Sequence, residues 1–176
     1  MFELLYARHA PTVKAYALRR SNASLADDVV AEVFVVCWRR LEEIPAEALP
    51  WLLAVARRVL STQRRSELRR AALADRVAAH SPISATADTE IGPGTSASEN
   101  GALSGALARL SESDRELLLL IAWEGLTPSQ AALVLEVKPA TVRVRLLRAR
   151  RRLSHALERA VDDAPMCSTV SMEVSR

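Results

Sequence analysis

The stretch Thr127-Pro128-Ser129-Gln130 narrows the folds open to this chain more than any other. A threonine cap, a proline at the first helical position and a glutamine three residues after the cap make a capping box. Ala131, Ala132 and Leu135 then give a short helix one apolar side, and a second start at Pro139 carries a helix through about Ala160. Only Glu136-Val137-Lys138 separates the two. A short capped helix, a tight turn and a longer arginine-rich helix make a helix-turn-helix, whose second helix enters the DNA major groove with its N-terminal residues at the base edges. At about 100° per residue, Val142, Leu146, Ala149, Leu153 and Leu157 share one side of that second helix. Ala140, Val144, Arg148 and Arg151 lie opposite, flanked by Thr141, Arg143 and Arg145.

These positions have distinct expected roles. Arg143, Arg145 and Arg148 suit either bidentate contacts to guanine or clamps on phosphate. Val144 suits a thymine methyl, and Lys138, Arg151 and Arg152 suit phosphates, which position a helix without reading sequence. A solvated helix face is the plainer reading of the arginines alone. The capped helix and the turn just upstream favour DNA. Ser111 is a further helix cap, with Asp114 three residues on and Leu117, Leu118, Ile121 and Ala122 following.

Upstream, three apolar stripes at helical spacing predict three amphipathic helices. They are Phe2, Leu5, Tyr6, Val13, Tyr16 and Ala17; then Val30, Val33, Phe34, Cys37, Trp38 and Leu41; then Leu52, Val55, Ala56, Val59 and Leu60. Pro45 and Pro50 bracket the loop between the second and third. Residues 1–76 therefore read as one small domain and 102–160 as another. Between them 77–101 holds small and polar residues with Pro and Gly, the composition of a flexible linker spanning roughly 25–30 Å as a coil. Charge follows the same division: both blocks are net basic, whereas 77–101 carries acidic groups and no Lys or Arg. Residues 161–176 read as a disordered tail. The expected fold class is all-α, two small helical domains on a tether.

With the residues set out, a resemblance becomes plain. The stretch ALARLSESDRELLLLIAWEGLTPSQAALVLEVKPATVRVRLLRARRRL resembles the promoter −35-reading region of extracytoplasmic-function sigma factors of bacterial RNA polymerase. LADDVVAEVFVVCWRRL resembles their polymerase-binding helix, and PWLLAVARRVLSTQRR their −10-element helix. The resemblance implies core RNA polymerase and promoter DNA as partners, an anti-sigma protein as a regulator, and no cofactor or small-molecule substrate. On the polymerase-binding helix, Asp28, Glu32, Val35, Val36 and Arg39 are expected outward, with Val30, Phe34, Cys37 and Trp38 hidden. Arg57, Arg58, Arg64 and Arg65 would supply the cations along the −10 strand, joined by Arg69 and Arg70. The loop Glu43–Leu49 suits base capture better than Trp51, which begins an apolar stripe and fits a core.

The chain departs from the family pattern in places. Arg58 stands where Asn is usual, Thr62 where Asp is, Ala31 where Gln is and Val36 where a basic residue is. Glu136 replaces the usual turn Gly, a position where positive φ costs any other residue energy, and Lys138 replaces a Ser cap. Two other readings stay open: a regulator that binds duplex DNA without polymerase, and a factor that docks on polymerase without reading promoters. An enzyme is disfavoured, since no nucleophile–base spacing, phosphate-cradling Gly loop or metal-ligand set is visible. Cys37 and Cys167 frame no disulfide, His9 reads as structural or surface, and no apolar run reaches membrane-spanning length. The cytoplasm is the expected location.

Overall fold

The computed structural model describes residues 1–77 and 97–162, and every described element is helical. In chain order these are α1 (Phe2–Leu18), α2 (Ala23–Arg39), a short 3-10 turn (Leu41–Glu43), α3 (Ala48–Val77), α4 (Ala97–Ala108), α5 (Glu112–Ala122), α6 (Pro128–Leu135) and α7 (Pro139–Asp162). The helix boundaries follow local chemistry. Asn22 caps α2 by accepting a hydrogen bond from the Leu25 N–H at 2.9 Å. Ser111 caps α5 by accepting from the Asp114 N–H at 3.2 Å. Thr127 and Gln130 close a reciprocal capping box on α6, at 2.8 and 3.2 Å. α4 begins at Ala97, five residues inside the stretch read as linker; Cys167 lies outside the described residues.

α1, α2 and α3 form a bundle around Val13, Tyr16, Ala17, Val29, Val33, Phe34, Cys37, Leu52, Leu53 and Ala56, all buried. Each Val, Leu or Phe among them contributes about 1.5–3 kcal/mol of burial free energy. Cys37 is packed here, and burial pushes its thiol upward in pKa, leaving it unreactive. Trp38 corrects the expectation: it is 63% exposed. The buried line of α2 runs Ala26, Val29, Val33 and Cys37, and the next residue lies about 100° round the helix, at the rim. There Trp38 meets Phe2 edge-to-face at 5.1 Å, in an aromatic group with Tyr6 and Phe34. Val30 and Val36 are half-buried at the edges of the same core, and Trp51 rests against it, as its place in an apolar stripe implies.

α4 to α7 bury Leu107, Leu110, Leu117, Leu120, Leu126, Ala131, Val134, Val142, Leu146 and Ala149. The two halves do not stand apart: α3 packs on α6, and the buried residues form one continuous cluster.

Candidate nucleic-acid interface

α6 ends in a left-handed residue, Glu136, at φ 57° and ψ 40°. The Val137 N–H reaches back to the Ala132 carbonyl at 3.1 Å, the 6→1 bond that closes a helix whose next residue turns left-handed. Gly would take this backbone freely; glutamate takes it at a cost. Val137 tucks against the core and α7 starts at Pro139. Val142, Leu146, Ala149 and Ala156 are buried along one side of α7, with Leu153 partly so. Lys138, Ala140, Thr141, Arg143, Val144, Arg148 and Arg151 are exposed, as the face arithmetic requires. The side chains of Lys138, Arg143, Arg148 and Arg151 have no ion-pair or hydrogen-bond partner among the described residues.

Arg145 stands apart from that group. Its position lies about 60° from the centre of the buried stripe, its side chain is only 27% exposed, and its Nε lies 4.0 Å from Asp114 Oδ1. Arg152 on the same flank donates to Asp114 Oδ2. Asp114 is buried at the start of α5 and so holds two arginines of α7. Arg145 therefore lies on the internal flank of α7, away from the fully exposed arginines.

On α2, Asp28, Glu32, Val35 and Arg39 follow i, i+4, i+7, i+11 spacing and form one exposed stripe. Val36 falls about 80° from it and is half-buried, so it joins the core rim instead. On α3, Arg57 is half-buried and Arg58, Arg64 and Arg65 are exposed. Two of these four are engaged by the other half of the molecule. Arg58 Nε donates to Glu136 Oε1 at 2.6 Å, and Arg64 donates to Glu112. Arg65 bonds Ser61 on its own helix at 3.1 Å. In the loop before α3, Glu47 accepts from Gln130 Nε2 of α6 at 2.8 Å.

Sequence reasoning missed a network between α1 and α5. Glu124 has only 1% of its side chain exposed and accepts from Arg19 Nη2 on both carboxylate oxygens at 2.6 Å. Arg20 Nε donates to Glu116 at 2.8 Å, and the Tyr16 hydroxyl donates to the same carboxylate at 2.9 Å. Burial raises the Tyr16 hydroxyl far above its ordinary pKa, and the adjacent Glu116 adds to this. For Arg20, burial works against the charge, but Glu116, Tyr16 and Glu124 outweigh it and the pKa rises. Both stay protonated. Arg19 also lies over the Trp123 ring at 5.6 Å and Arg20 over Tyr16 at 3.7 Å. A signal was present: Glu124, just past the end of α5, is four residues after Leu120 and seven after Leu117, in the sequence phase of that helix's buried leucines. A carboxylate in that phase needs a cation.

Neither a candidate metal cluster nor a helix long and apolar enough to cross a membrane occurs among the described residues. Half-burial, with a smaller effect of Arg8, holds the His9 imidazole below its ordinary pKa.

Comparison with known proteins agrees with this geometry. Residues 5–70 match the family described as Sigma-70 region 2, and residues 100–153 match Sigma-70, region 4. The chain is 32% identical over 162 residues to the ECF RNA polymerase sigma factor SigL of Mycobacterium tuberculosis, covering 90% of this chain and 89% of SigL. It is 33% identical over 156 residues to the probable RNA polymerase sigma factor RfaY of Xanthomonas campestris pv. campestris, covering 86% of this chain but only 38% of that relative's length. Among solved structures, CnrH in complex with the cytosolic domain of CnrY matches with a TM-score of 0.60 and 26% identity, over 90% of this chain and 88% of that one. The sigma factor RpoE of Bartonella quintana, bound to the anti-sigma factor NepR, shares the fold with a TM-score of 0.67 at 24% identity, over 89% and 96% of the two chains.

Proposed function

Because the chain belongs to the extracytoplasmic-function family of RNA polymerase sigma factors, we propose that its first half grips core polymerase and the −10 element while its second half reads the −35 element. The observation that carries this is the exposed cationic face of α7, presented by a capped helix and a turn on a well-packed support. In this reading Arg143 and Arg148 approach base edges, Val144 meets a thymine methyl, and Lys138 and Arg151 hold phosphates. Ala140 and Thr141 sit at the N-terminal end of the helix, where the groove floor lies closest. Arg145 sets the angle of α7 through Asp114. The Asp28–Glu32–Val35–Arg39 stripe faces polymerase, and Arg57, Arg58, Arg64 and Arg65 serve the −10 strand. The domains follow the division at 1–76 and 102–160, with the second extended back to Ala97 by α4. The setting is the cytoplasm, the partners are core polymerase and promoter DNA, and an anti-sigma protein is the regulator that family membership implies. Its role is to direct the polymerase, whose active site makes the RNA.

Run-off transcription with added core polymerase tests the reading. Promoter-dependent transcript is expected. Duplex binding without polymerase and without initiation would instead mark a simple regulator.

Two substitutions probe the surfaces. Arg148→Ala is expected to weaken −35 binding by about 1–3 kcal/mol, the range for losing a base contact, in a gel-shift series with holoenzyme. An unchanged affinity and unchanged sequence preference would contradict the assignment. Val35→Asp places a charge in the centre of the α2 stripe, where the side chain is already exposed, so the fold should survive. Co-purification with core enzyme should fall at least tenfold, since an interface centre disfavours an unpaired charge. Normal co-purification would remove α2 from the polymerase interface.

A further inference from the structure

Arg58 of α3 and Glu136, the left-handed residue of the turn before α7, are bonded to each other. Arg58 Nη2 and Nε both reach Glu136 Oε1, at 2.5 and 2.6 Å. The pair joins α3, the −10 helix, to the turn that launches the −35 helix. Glutamate holds this contact from a left-handed backbone position that glycine would take more easily, so the residue is poorly suited to the turn and well suited to the pair. Two further contacts follow the same line, Arg64 to Glu112 and Glu47 to Gln130. All three draw elements of the −10 surface onto the −35-reading half.

This arrangement is incompatible with promoter binding. The −35 and −10 elements are about 25 base pairs apart, roughly 85 Å of duplex at about 3.4 Å per pair. Residues that meet at 2.5 Å cannot serve both ends of that span.

We propose that the Arg58–Glu136 pair is an autoinhibitory latch, in which the Glu136 carboxylate occupies the guanidinium that would otherwise hold a −10 phosphate and biases the two halves toward the closed arrangement until polymerase separates them. The inference rests on the sigma-factor reading for its consequence, though not for its geometry. The side chains are 66% and 49% exposed, and an exposed pair shifts an equilibrium by no more than about fivefold. The latch therefore sets how readily the molecule opens. The buried α1–α5 network supplies the stronger adhesion.

The test uses the full chain with Cys37→Ala and Cys167→Ser, carrying a donor and acceptor dye on Ser24→Cys and Ser113→Cys, which sit on exposed positions of α2 and α5. Without polymerase, a high-transfer population is expected. Glu136→Gln, which keeps the side-chain shape and removes the charge, should raise the open-to-closed ratio about threefold to fivefold. Added sodium chloride should raise the ratio for the unsubstituted protein and much less for Glu136→Gln. Glu136→Gly, which also relieves the turn, should match Glu136→Gln, and the exchange Arg58→Glu with Glu136→Arg should restore closure. In reconstituted transcription, the half-saturating core concentration for Glu136→Gln should fall by the same factor. An unaltered ratio in both Glu136 variants overturns the latch, as does a failure of the charge exchange to restore closure. If the unsubstituted protein yields no transcript while the dye measurements behave as described, the sigma-factor reading fails and the latch stands.

Discussion

Glu124→Ala should weaken the joining of the two halves by about 3 kcal/mol, near the lower end of the range for removing one member of a buried ion pair. The carboxylate is 1% exposed and its partners, Arg19 and Arg20, retain 22% and 13% of their side-chain exposure. Its loss leaves Arg19 without an anion in a place where water can only partly replace one. Arg20 keeps Glu116, which limits the damage. Urea denaturation should change from one transition to two, because the halves would then melt separately. Glu124→Gln, which keeps the shape and one acceptor, should fall between. A single transition with an unshifted midpoint in the alanine variant would show that the network contributes nothing to closure.

The second large effect is expected at Asp114. Replacement by alanine removes the acceptor of the Arg152 hydrogen bond and the carboxylate paired with Arg145, and a hydrogen bond to a charged group contributes about 1.5–3 kcal/mol. Arg152 is 61% exposed and can turn to solvent, whereas Arg145 is 27% exposed and loses its fixed orientation. The C-terminal half should lose about 2 kcal/mol in thermal or chemical denaturation, and −35 binding should weaken about tenfold even though Asp114 touches no DNA. Pre-organisation of the helix is what would be lost. Asp114→Asn should retain part of both. Wild-type promoter affinity in the alanine variant would show that the arginines need no anchor.

Much of the fold was legible because it is local. The α6 capping box, the α5 cap and the buried side of α7 follow from residues within a few positions of one another, and helical periodicity exposes them directly. Trp38 was misread because period alone does not say how far a core extends. The α2 stripe is wide, and at its rim Trp38 meets the Phe2 ring of α1 while remaining largely exposed. Arg145 was grouped with the exposed arginines since residue type cannot tell a cation that faces DNA from one held by a carboxylate on another helix. The largest omission was non-local. Arg19 and Glu124 are separated by 105 positions, and nothing in the sequence indicates which cation answers a carboxylate on an apolar face.

The position of Trp123 has a practical consequence. The chain contains three tryptophans; Trp38 and Trp51 belong to the first bundle, while Trp123 sits at the seam beneath the Arg19 guanidinium. When the halves part, that indole exchanges a cation for solvent. The protein thus carries a built-in optical gauge of its own conformation, readable from intrinsic emission with no label attached.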